Sequence, residues 1–206
     1  MKTITQYFPQ LTEQQRLQME QLNTLYRDWN SKINVISRRD IDNLYEHHVL
    51  HSLAIAKFLQ FTPGTHILDF GTGGGFPGIP LAIMFPDCDF TLIDGTGKKV
   101  RVAQEVAQAI GLKNCHPVHR RGEDEIGTYH FVVSRAVMPL PDLVKIVRKN
   151  IKREQRNAIA NGVICLKGGD LKEETQQFHK TLETIDIRQW FNEDWFNEKY
   201  VIYLPL

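Results

Sequence analysis

Residues 66–80 have the sequence His-Ile-Leu-Asp-Phe-Gly-Thr-Gly-Gly-Gly-Phe-Pro-Gly-Ile-Pro, and this stretch decides the fold of the chain. A short apolar run that carries one acid, Asp69, stops at four glycines between positions 71 and 75. A helix is predicted to begin near Pro77, because proline is tolerated in a first helical turn. The stretch therefore predicts a strand, a tight glycine loop and a helix, an arrangement that brings backbone N–H groups close to a bound ligand.

Two ligand classes fit this loop. The spacing G-x-G-x-x-G from Gly73 to Gly78, with Asp94 standing 19 residues after Gly75, matches the pattern of dinucleotide-binding folds. The spacing D-x-G-x-G-x-G from Asp69 to Gly75 matches the pattern by which class I methyltransferases bind S-adenosylmethionine. Both predict a cofactor that carries adenosine. The acid inside the strand favours S-adenosylmethionine, because the amino acid end of that cofactor carries an ammonium group, whereas a carboxylate would repel a pyrophosphate.

Length and composition set the broad class. The 206 residues allow one ordinary domain with a small extension, and an apolar content of 42% is normal for a soluble globule. A net charge of +1 gives the whole molecule no bias toward nucleic acid, so any such surface must be local. Three cysteines without a C-x-x-C pair indicate free thiols in a reducing cytoplasm. We see no signal peptide and no apolar run that would span a bilayer, and we expect a cytoplasmic monomer without a membrane partner.

Strand and helix patterns alternate after a boundary turn at Pro63-Gly64. This alternation predicts an α/β fold with right-handed crossovers and a mostly parallel sheet that carries helices on both faces. The last two strands have no helix between them, so they are predicted to form an antiparallel pair. Seven strands in this arrangement make the class I (Rossmann-like) S-adenosylmethionine-dependent methyltransferase fold. Strands are predicted at 66–70, 89–94, 115–119, 129–134, 162–167, 182–190 and 199–204, and helices at 77–85, 97–110, 141–152 and 170–179.

Two further helices are predicted before the glycine loop. Residues 11–30 carry Leu and aromatic side chains at helical spacing behind Thr12, which suits an N-cap, and residues 41–60 carry a second apolar stripe. These helices predict an N-terminal helical extension, residues 1–62, that packs on a class I methyltransferase domain, residues 63–206.

Polar residues that follow the strands are candidate cofactor contacts, because open α/β sheets bind ligands at the carboxyl ends of their strands. Asp94, at the end of the second strand, is predicted to accept hydrogen bonds from both ribose hydroxyls, with a turn-capping role as the alternative. Gly122-Glu123 follow the third strand, where the adenine would lie, although Glu123 stands in an acidic run that solvation alone would explain. Arg135 ends the fourth strand and is predicted beside the cofactor, with a salt bridge to Asp69 or Asp94 as the alternative.

The sequence lacks the groups that several other acceptors would need. The Asp/Asn-Pro-Pro-Tyr/Phe run of amino-directed methyltransferases would stand at Ser134 to Val137, and no Pro-Cys is present for attack on a pyrimidine ring carbon. Cys115 and Cys165 fall inside predicted strands and are expected to be inert. The reaction is therefore predicted to need neither a nucleophile nor a base. Guanine N7 fits, because its in-plane lone pair is unprotonated at neutral pH, which leaves alignment and exclusion of water to the protein.

Positive charge is concentrated in a few parts of the chain. Between residues 141 and 156, six lysines and arginines stand against two acids, and further cations follow the second, third and fifth strands. We predict that these cations, with Arg38 and Arg39, bind RNA phosphates around the cleft; ordinary solvated helix faces are the alternative. The predicted RNA-binding residues are Lys98, Arg121, Lys145, Arg148, Lys149 and Lys167.

Three histidines raise the question of a metal site. His47 and His51 lie one helical turn apart, and His48 adjoins the first of them. No Glu stands between positions 47 and 51 as in the H-E-x-x-H pattern, and no third ligand is evident. We therefore expect no metal.

Several of these stretches together resemble the RsmG (GidB) family of bacterial small-subunit rRNA guanine-N7 methyltransferases. The resemblance runs from about residue 20 to 169. It implies N-terminal helices on a class I methyltransferase sheet, a cytoplasmic location, S-adenosylmethionine as cofactor, and N7 methylation of one guanine in 16S rRNA. The residues that carry it are Asn34-x-x-Ser37-x-Arg39-Asp40, His48-x-x-x-Ser52, the block from Asp69 to Pro80, Leu92-Ile-Asp94, Gly97-Lys98-Lys99-x-Arg101, Ser134-Arg135-Ala136 and Leu166-Lys167-Gly168.

The resemblance also implies functional residues by position. Lys98, Arg121 and Lys167 fall on positions suited to the RNA or the active cleft, and Arg135 is the candidate catalytic residue. The implied cofactor contacts are Gly71, Phe76, Asp94, Gly122, Glu123 and Arg135.

The chain departs from the family at two places. It has His47-His48-Val-Leu-His51-Ser52 where the family usually has Arg-His-x-x-Asp-Ser, and it has Gly74 where the family usually has Pro. Two histidines thus replace an Arg–Asp pair one turn apart. This replacement leaves open how that edge of the helix is held.

Three functions remain to be separated. The favoured function is methylation of guanine N7 in the 16S rRNA of the small ribosomal subunit. The second is a class I methyltransferase for a small molecule, whose cleft would be lined by aromatic residues without a basic rim. The third is a nucleotide-responsive binding protein with a Rossmann fold and no catalysis, which would be stabilised by NAD rather than by S-adenosylhomocysteine.

Overall fold

A seven-stranded sheet forms the centre of the computed structural model, which describes residues 1–206. Its strands lie in the order β3-β2-β1-β4-β5-β7-β6. The first five strands are parallel, and β7 pairs antiparallel with both β5 and β6, which confirms the predicted sheet. The strands are β1 (His66–Phe70), β2 (Asp89–Asp94), β3 (Cys115–His119), β4 (Phe131–Arg135), β5 (Gly162–Gly168), β6 (Glu183–Asp186) and β7 (Lys199–Pro205). The strand order reverses between β1 and β4, the place where open α/β sheets bind ligands.

Helices cover both faces of the sheet. Those of the N-terminal extension share one face with the helices that follow β1 and β2, and the helix that follows β4 packs on the other. None of the helices is both long and apolar enough to cross a bilayer. The helices are α1 (Lys2–Tyr7), α2 (Glu13–Lys32), α3 (His51–Phe58), α4 (Gly78–Met84), α5 (Gly97–Ala109), α6 (Leu140–Val147) and α7 (Lys172–Thr175).

Helix α2 begins at Thr12, as predicted. The Thr12 hydroxyl oxygen accepts a hydrogen bond from the N–H of Gln15 at 3.2 Å, and the Gln15 side chain accepts one from the N–H of Thr12 at 2.9 Å, so the two form a capping box. Farther along the helix, Tyr26 is fully buried and its hydroxyl donates to the carbonyl oxygen of Gly74 at 2.7 Å. The last turns of α2 therefore support the glycine loop directly. Helix α1 was not predicted, because its six residues bury only Ile4.

The single helix predicted over residues 41–60 is wrong in its internal form. A 3-10 turn (Ile41–Asn43) and a π-helix (Leu44–Leu50) precede α3. In the π-helix the N–H of His51 bonds to the carbonyl oxygen of Glu46, five residues earlier. Apolar spacing does not separate this form from an α-helix, since both bury one stripe of side chains. The π-helix is stabilised by contacts to other segments, which are described with the site.

The helix predicted over residues 141–152 ends early. Helix α6 stops at Val147 and continues as a 3-10 turn through Asn150. The amide nitrogen of Asn150 points inward and donates to the carbonyl oxygens of Glu125 and Gly127, at 3.0 and 2.7 Å. These contacts with a distant segment turn the chain out of the helix.

Two elements near the C-terminal end are also shorter than predicted. The helix predicted over 170–179 keeps only the four residues of α7 and a 3-10 turn. The strand predicted over 182–190 ends at Asp186, because its carboxylate accepts a hydrogen bond from the N–H of Arg188 and starts a 3-10 turn there. The last strand, β7, lies between β5 and β6.

The N-terminal extension and the remainder of the chain share one hydrophobic core. A single cluster of 41 buried residues contains side chains of α2 and α3 together with side chains of β1, β2, β4 and α5. Removal of the extension would expose the apolar face of α4 and α5 to water. We therefore propose that residues 1–62 and 63–206 are one folding unit.

A shared core predicts a single cooperative unfolding transition. Trp29 lies in α2, whereas Trp190 and Trp195 lie near the other end of the chain, so their fluorescence reports different parts of the molecule. We make two variants, Trp29→Phe and Trp190→Phe/Trp195→Phe, and unfold each in urea. In each variant we expect the midpoint measured by tryptophan fluorescence to equal the midpoint measured by circular dichroism. Fluorescence and circular dichroism transitions that separate within one variant would contradict a shared core.

Candidate functional site

The glycine loop is closed by backbone hydrogen bonds to the neighbouring strand. The N–H groups of Gly71 and Thr72 both donate to the carbonyl oxygen of Ile93, at 2.9 and 3.0 Å. Gly71 and Gly75 have φ values of +71° and +112°, a region that favours glycine. A Cβ at Gly71 would lie 2.5 Å from Cγ2 of Val137, so the turn that follows β4 rests directly on the loop.

Asp69 lies beneath the loop and joins its two ends. The side chain is fully buried, and Oδ2 accepts hydrogen bonds from Thr72 Oγ1 at 2.5 Å and from the N–H of Gly78 at 2.7 Å. The other oxygen, Oδ1, is buried without a partner. Burial raises the pKa of Asp69 to about 7, and it outweighs the lowering effects of these hydrogen bonds and of Arg135. A buried carboxylate with one free oxygen suits a ligand group that is cationic or donates a hydrogen bond.

Asp94 ends β2 and contacts the same loop. Its Oδ2 accepts a hydrogen bond from the N–H of Gly73 at 2.9 Å, and its Oδ1 accepts one from the N–H of Thr96 at 2.7 Å. The capping role considered as an alternative is therefore present. Each carboxylate oxygen keeps a further lone pair, so Asp94 can accept a ligand hydroxyl at the same time. The ribose contact stays a prediction.

A cleft of about 310 Å³ opens at the carboxyl ends of β1 to β4. It brings together five of the predicted site residues, which are Gly71, Asp94, Arg121, Gly122 and Glu123. The rest of its lining is Phe70, Ile93, Gly95, Arg120, Val137 and Met138. A Cβ at Gly122 would overlap the ring of Phe70, so glycine is required where the chain crosses this wall. Apolar walls beside a carboxylate suit a flat heterocycle joined to a sugar.

Phe76 and Arg135 lie together between the glycine loop and the N-terminal extension. The guanidinium carbon of Arg135 is 5.2 Å from the centre of the Phe76 ring, a cation–π contact. Its Nη2 donates to Nδ1 of His48 at 3.1 Å, and its Nη1 donates to the carbonyl oxygen of His47 at 3.4 Å, rather than to either of the carboxylates considered as salt-bridge partners. Burial lowers the pKa of Arg135 to about 10, so the group stays cationic at neutral pH.

Three predicted RNA-binding cations lie at the edge of the sheet that carries the cleft. Arg121 is exposed and lines the cleft, and Lys98 is exposed in the first turn of α5. Lys167 lies at the end of β5 with only 10% of its side chain exposed. Its ammonium donates to the carbonyl oxygen of Met138 at 2.7 Å and to Glu174 at 2.8 Å, so one N–H bond is left for an RNA group.

The other three predicted RNA-binding cations lie on or just after α6, which runs away from this edge. Lys145 is exposed and pairs with an acid one turn earlier. Arg148 and Lys149 follow the end of α6, where the chain pairs with the segment that precedes β4. The ammonium of Lys149 donates to the carbonyl oxygen of Glu123 at 2.7 Å. Because Glu123 lines the cleft, the ammonium of Lys149 lies next to it. Contact between these three cations and RNA stays a prediction.

Sequence reasoning missed a cluster that surrounds Arg135. Asp40 contacts the rings of His47 and His48, and Trp195 stacks on His47 with ring centres 4.2 Å apart. The structure contains no group of three or more side chains placed to hold a metal ion. The available signal was an acid, Asp40, seven and eight residues before a pair of adjacent histidines. Trp195 gave no signal, because it lies far away in sequence and outside the resemblance.

The three cysteines are free and buried. Burial raises the pKa of Cys88 to about 11 and that of Cys165 to about 12, and it raises the pKa of Cys115 as well. Burial therefore disfavours the thiolate form of all three cysteines.

Comparison with known proteins matches most of the chain. The model of the GidB family, described as rRNA small subunit methyltransferase G, matches residues 15–195. The chain belongs to this family. A relative from Phocaeicola vulgatus, named ribosomal RNA small subunit methyltransferase G, is 61% identical over 100% of this chain and 99% of its own length. A relative of the same name from Bacteroides fragilis is 59% identical over 100% of both chains.

Solved structures share the fold at low sequence identity. A T. thermophilus 16S rRNA methyltransferase (RsmC), in complex with AdoMet and guanosine, has a TM-score of 0.56 and 16% identity, and the match covers 84% of this chain and 44% of that one. A SAM-dependent methyltransferase from Aquifex aeolicus has a TM-score of 0.56 and 14% identity, with 82% of this chain and 98% of that one covered. These likenesses confirm the methyltransferase fold predicted from the sequence.

Replacement of Gly71 by alanine is predicted to destabilise this protein more than replacement of Gly73. Both positions have a positive φ, which costs an L side chain about 1–2 kcal/mol. A Cβ at Gly71 meets Val137, whereas a Cβ at Gly73 meets nothing within 4 Å. We expect Gly71→Ala to lower the free energy of unfolding by about 1–3 kcal/mol more than Gly73→Ala, because the added methyl group overpacks the space beside Val137. Urea denaturation measures both losses, and equal losses would show that Val137 yields without cost.

Proposed function

We propose that this member of the rRNA small subunit methyltransferase G family transfers a methyl group from S-adenosylmethionine to N7 of a guanine in 16S rRNA. The observation that carries the proposal is the cleft at the ends of β1 to β4, which unites the glycine loop with Asp94 and Gly122 in a chain of this family. The protein acts as a cytoplasmic monomer on the small ribosomal subunit or its RNA.

The residues around the loop fit this cofactor in two respects. The unpartnered Oδ1 of Asp69 is a buried acceptor that the ammonium of S-adenosylmethionine, or a water bound to it, would satisfy. Beside Gly73 the backbone is open, because nothing lies within 4 Å of the place where a Cβ would stand. We assign Asp94 to the ribose hydroxyls, Gly122 and Glu123 to the adenine, and Gly71, Phe76 and Arg135 to the amino acid end.

Methyl transfer to N7 requires the side chains mainly to position the donor and the guanine. When bound, the donor supplies an electrophilic methyl group on a sulfonium. Guanine N7 has a free lone pair at neutral pH, so no residue has to remove a proton from it. The side chains of the chain bind and orient the two reactants and exclude water from the space between them. Arg135 is the proposed catalytic residue, because its cation lies next to the loop and stays charged.

Exposed cations give the RNA a surface next to this cleft. Arg38 and Arg39 are exposed in the loop after α2, and Val35 of the same loop packs over Gly74. With Lys98, Arg121 and the remaining N–H bond of Lys167, these arginines would contact phosphates on either side of the methylated guanine. Lys145, Arg148 and Lys149 would contact RNA that continues along α6.

Transfer of labelled methyl groups to small ribosomal subunits that lack the modification tests the proposal. After digestion of the RNA to nucleosides, we expect one label per subunit, recovered as 7-methylguanosine. Subunits that already carry the modification are the control and should accept no label. Label on another atom of the base would remove the N7 assignment. Label found only in small molecules would favour the alternative of a small-molecule methyltransferase.

The Arg135→Ala variant is predicted to lose methyl transfer while its fold is retained. The side chain of Arg135 packs on one ring, Phe76, and bonds to His48 between the loop and the extension, whereas the main apolar core is built from 41 buried residues, so we expect the fold to persist without it. Single-turnover methyl transfer measures the loss, and thermal unfolding checks the fold. Wild-type turnover in this variant would refute the role assigned to Arg135.

Affinity for S-adenosylhomocysteine is predicted to rise with pH through the pKa of Asp69. In the free protein that pKa is raised to about 7, so the side chain is protonated below this value. The ammonium of the ligand prefers the carboxylate, and binding therefore releases a proton at lower pH. We expect affinity to increase by up to about tenfold from pH 6 to pH 8 and then to level off. Isothermal titration calorimetry at a series of pH values measures the affinity. The Asp69→Asn variant should bind with an affinity that does not change with pH. A pH-independent affinity in the wild type would contradict the contact between Asp69 and the ligand ammonium.

Neutralisation of Arg38, Lys98 and Arg121 to glutamine is predicted to weaken RNA binding and to flatten its salt dependence. Each phosphate contact contributes roughly 0.7–0.9 to the slope of log K against log salt concentration, so the slope should shrink by about 2. Filter binding across a salt series measures it. The same substitution of Lys145, Arg148 and Lys149 tests the second surface, with weaker binding and a flatter slope again expected. An unchanged slope in either variant would make that group an ordinary solvated surface.

A further inference from the structure

Arg135 is held by a neutral ring rather than by an acid. Its guanidinium donates to Nδ1 of His48 at 3.1 Å and to the carbonyl oxygen of His47 at 3.4 Å, and it lies over the ring of Phe76. A partly buried guanidinium is usually paired with a carboxylate. A neutral acceptor fixes the orientation of the group without neutralising it, so its charge stays available to an anionic group of a ligand.

The contact with Arg135 determines the tautomer of His48. Arginine only donates hydrogen bonds, so Nδ1 of His48 must accept and carries no proton. Burial, followed by the charge of Arg135, lowers the pKa of His48 to about 4, and the ring is neutral at physiological pH. The remaining proton therefore sits on Nε2 and is donated to Oδ2 of Asp40 at 2.6 Å.

Asp40 is itself held from a second side. Its Oδ1 contacts Nδ1 of His47 at 2.5 Å, and the ring of His47 stacks on Trp195 with an interplanar angle of 14°. Burial raises the pKa of Asp40, but the hydrogen bonds from His47 and His48 outweigh it and the net shift is downward. Asp40 is therefore a carboxylate, with 31% of its side chain exposed, that accepts from both adjacent histidines.

The π-helix makes this double contact possible. His47 and His48 are neighbours in the π-helix Leu44–Leu50, and each reaches one oxygen of the same carboxylate. π-Helical segments cost stability relative to α-helix and are found frequently at functional sites. Here the segment connects Trp195, near the end of the chain, to Arg135 beside the glycine loop.

We propose that Asp40 and His48 are positioning residues of this enzyme, which fix the guanidinium of Arg135 over Phe76 and influence methyl transfer only through it. The proposal rests on the proposed function of Arg135. The order of contacts is Trp195, His47, Asp40, His48 and Arg135. His47 and Trp195 stabilise the far side of Asp40.

Two substitutions of His48 separate its two hydrogen bonds. In His48→Asn the side-chain oxygen stands where Nδ1 stood, so the acceptor for Arg135 is kept and the donor to Asp40 is lost. In His48→Gln the polar end stands where Nε2 stood, so the acceptor for Arg135 is lost. We expect the glutamine variant to transfer methyl about tenfold more slowly than the asparagine variant in single turnover, because a buried hydrogen bond to a charged group is removed.

A double-mutant cycle tests whether Asp40 acts through Arg135. Asp40→Asn is combined with Arg135→Lys, which keeps a cation and leaves a measurable rate. Asp40→Asn alone should slow transfer about tenfold in the wild-type background, with an unchanged KM for RNA, and should have no further effect in Arg135→Lys. Asp42→Asn is the matched control, since Asp42 is 74% exposed and pairs only with Arg27; it should transfer at the wild-type rate. Thermal unfolding checks that every variant is folded.

The outcomes distinguish this proposal from the proposed function. Non-additive rates together with the asparagine–glutamine difference at His48 support positioning. Three results would overturn it. These are a wild-type rate in Asp40→Asn, a rate in the double variant that is reduced by the product of the two single effects, and equal rates of the two His48 variants. If Arg135→Ala itself transferred methyl groups at the wild-type rate, the catalytic role proposed for Arg135 would be refuted. An impaired Arg135→Ala with an additive cycle would overturn only the positioning by Asp40 and His48.

Discussion

The carboxylate of Asp69 joins the strand side and the helix side of the glycine loop, and the rest of the site depends on this junction. One oxygen accepts from Thr72, at the start of the loop, and from Gly78, at the start of α4. Because these two donors stand on either side of Gly73, Gly74 and Gly75, a single buried side chain sets the width of the loop. Burial of the ionisable side chain of Asp69 away from solvent disfavours its charged form, and the raised pKa of Asp69 reflects this. A cationic ligand group would offset this effect.

Three neighbours press on the loop that Asp69 closes. Tyr26 of α2 bonds to Gly74, Val35 packs over the same glycine, and Val137 rests on Gly71. Two of these belong to the N-terminal extension, so the extension is a structural part of the site rather than an added layer. The turn that carries Val137 follows directly after Arg135, which ties the position of the guanidinium to the shape of the loop. Donor loop, extension and Arg135 therefore form one connected unit.

Local signals predicted much of this molecule. The tight glycine loop, the N-cap at Thr12 and the alternation of strands with helices depend on neighbours within a few residues, and all appear in the structure. The cleft also unites Asp94 with Gly122 as predicted, because the carboxyl ends of parallel strands meet at one edge. Three features could not be predicted from local sequence, because each is fixed by partners far away along the chain. They are the π-helix, the early end of α6 and the contact of His48 with Arg135. A count of charges likewise gave no sign that the ammonium of Lys149 is held by the carbonyl oxygen of Glu123 at the cleft.

The central claim is that the loop above Asp69 holds the methyl donor beside Arg135. A crystal structure of the protein with S-adenosylhomocysteine tests it most directly. The account predicts ligand density in the cleft, with the ribose hydroxyls within hydrogen-bond distance of Asp94 and the ammonium bonded, directly or through one water, to Oδ1 of Asp69. An empty loop in a crystal saturated with ligand, or ligand bound elsewhere on the chain, would contradict it.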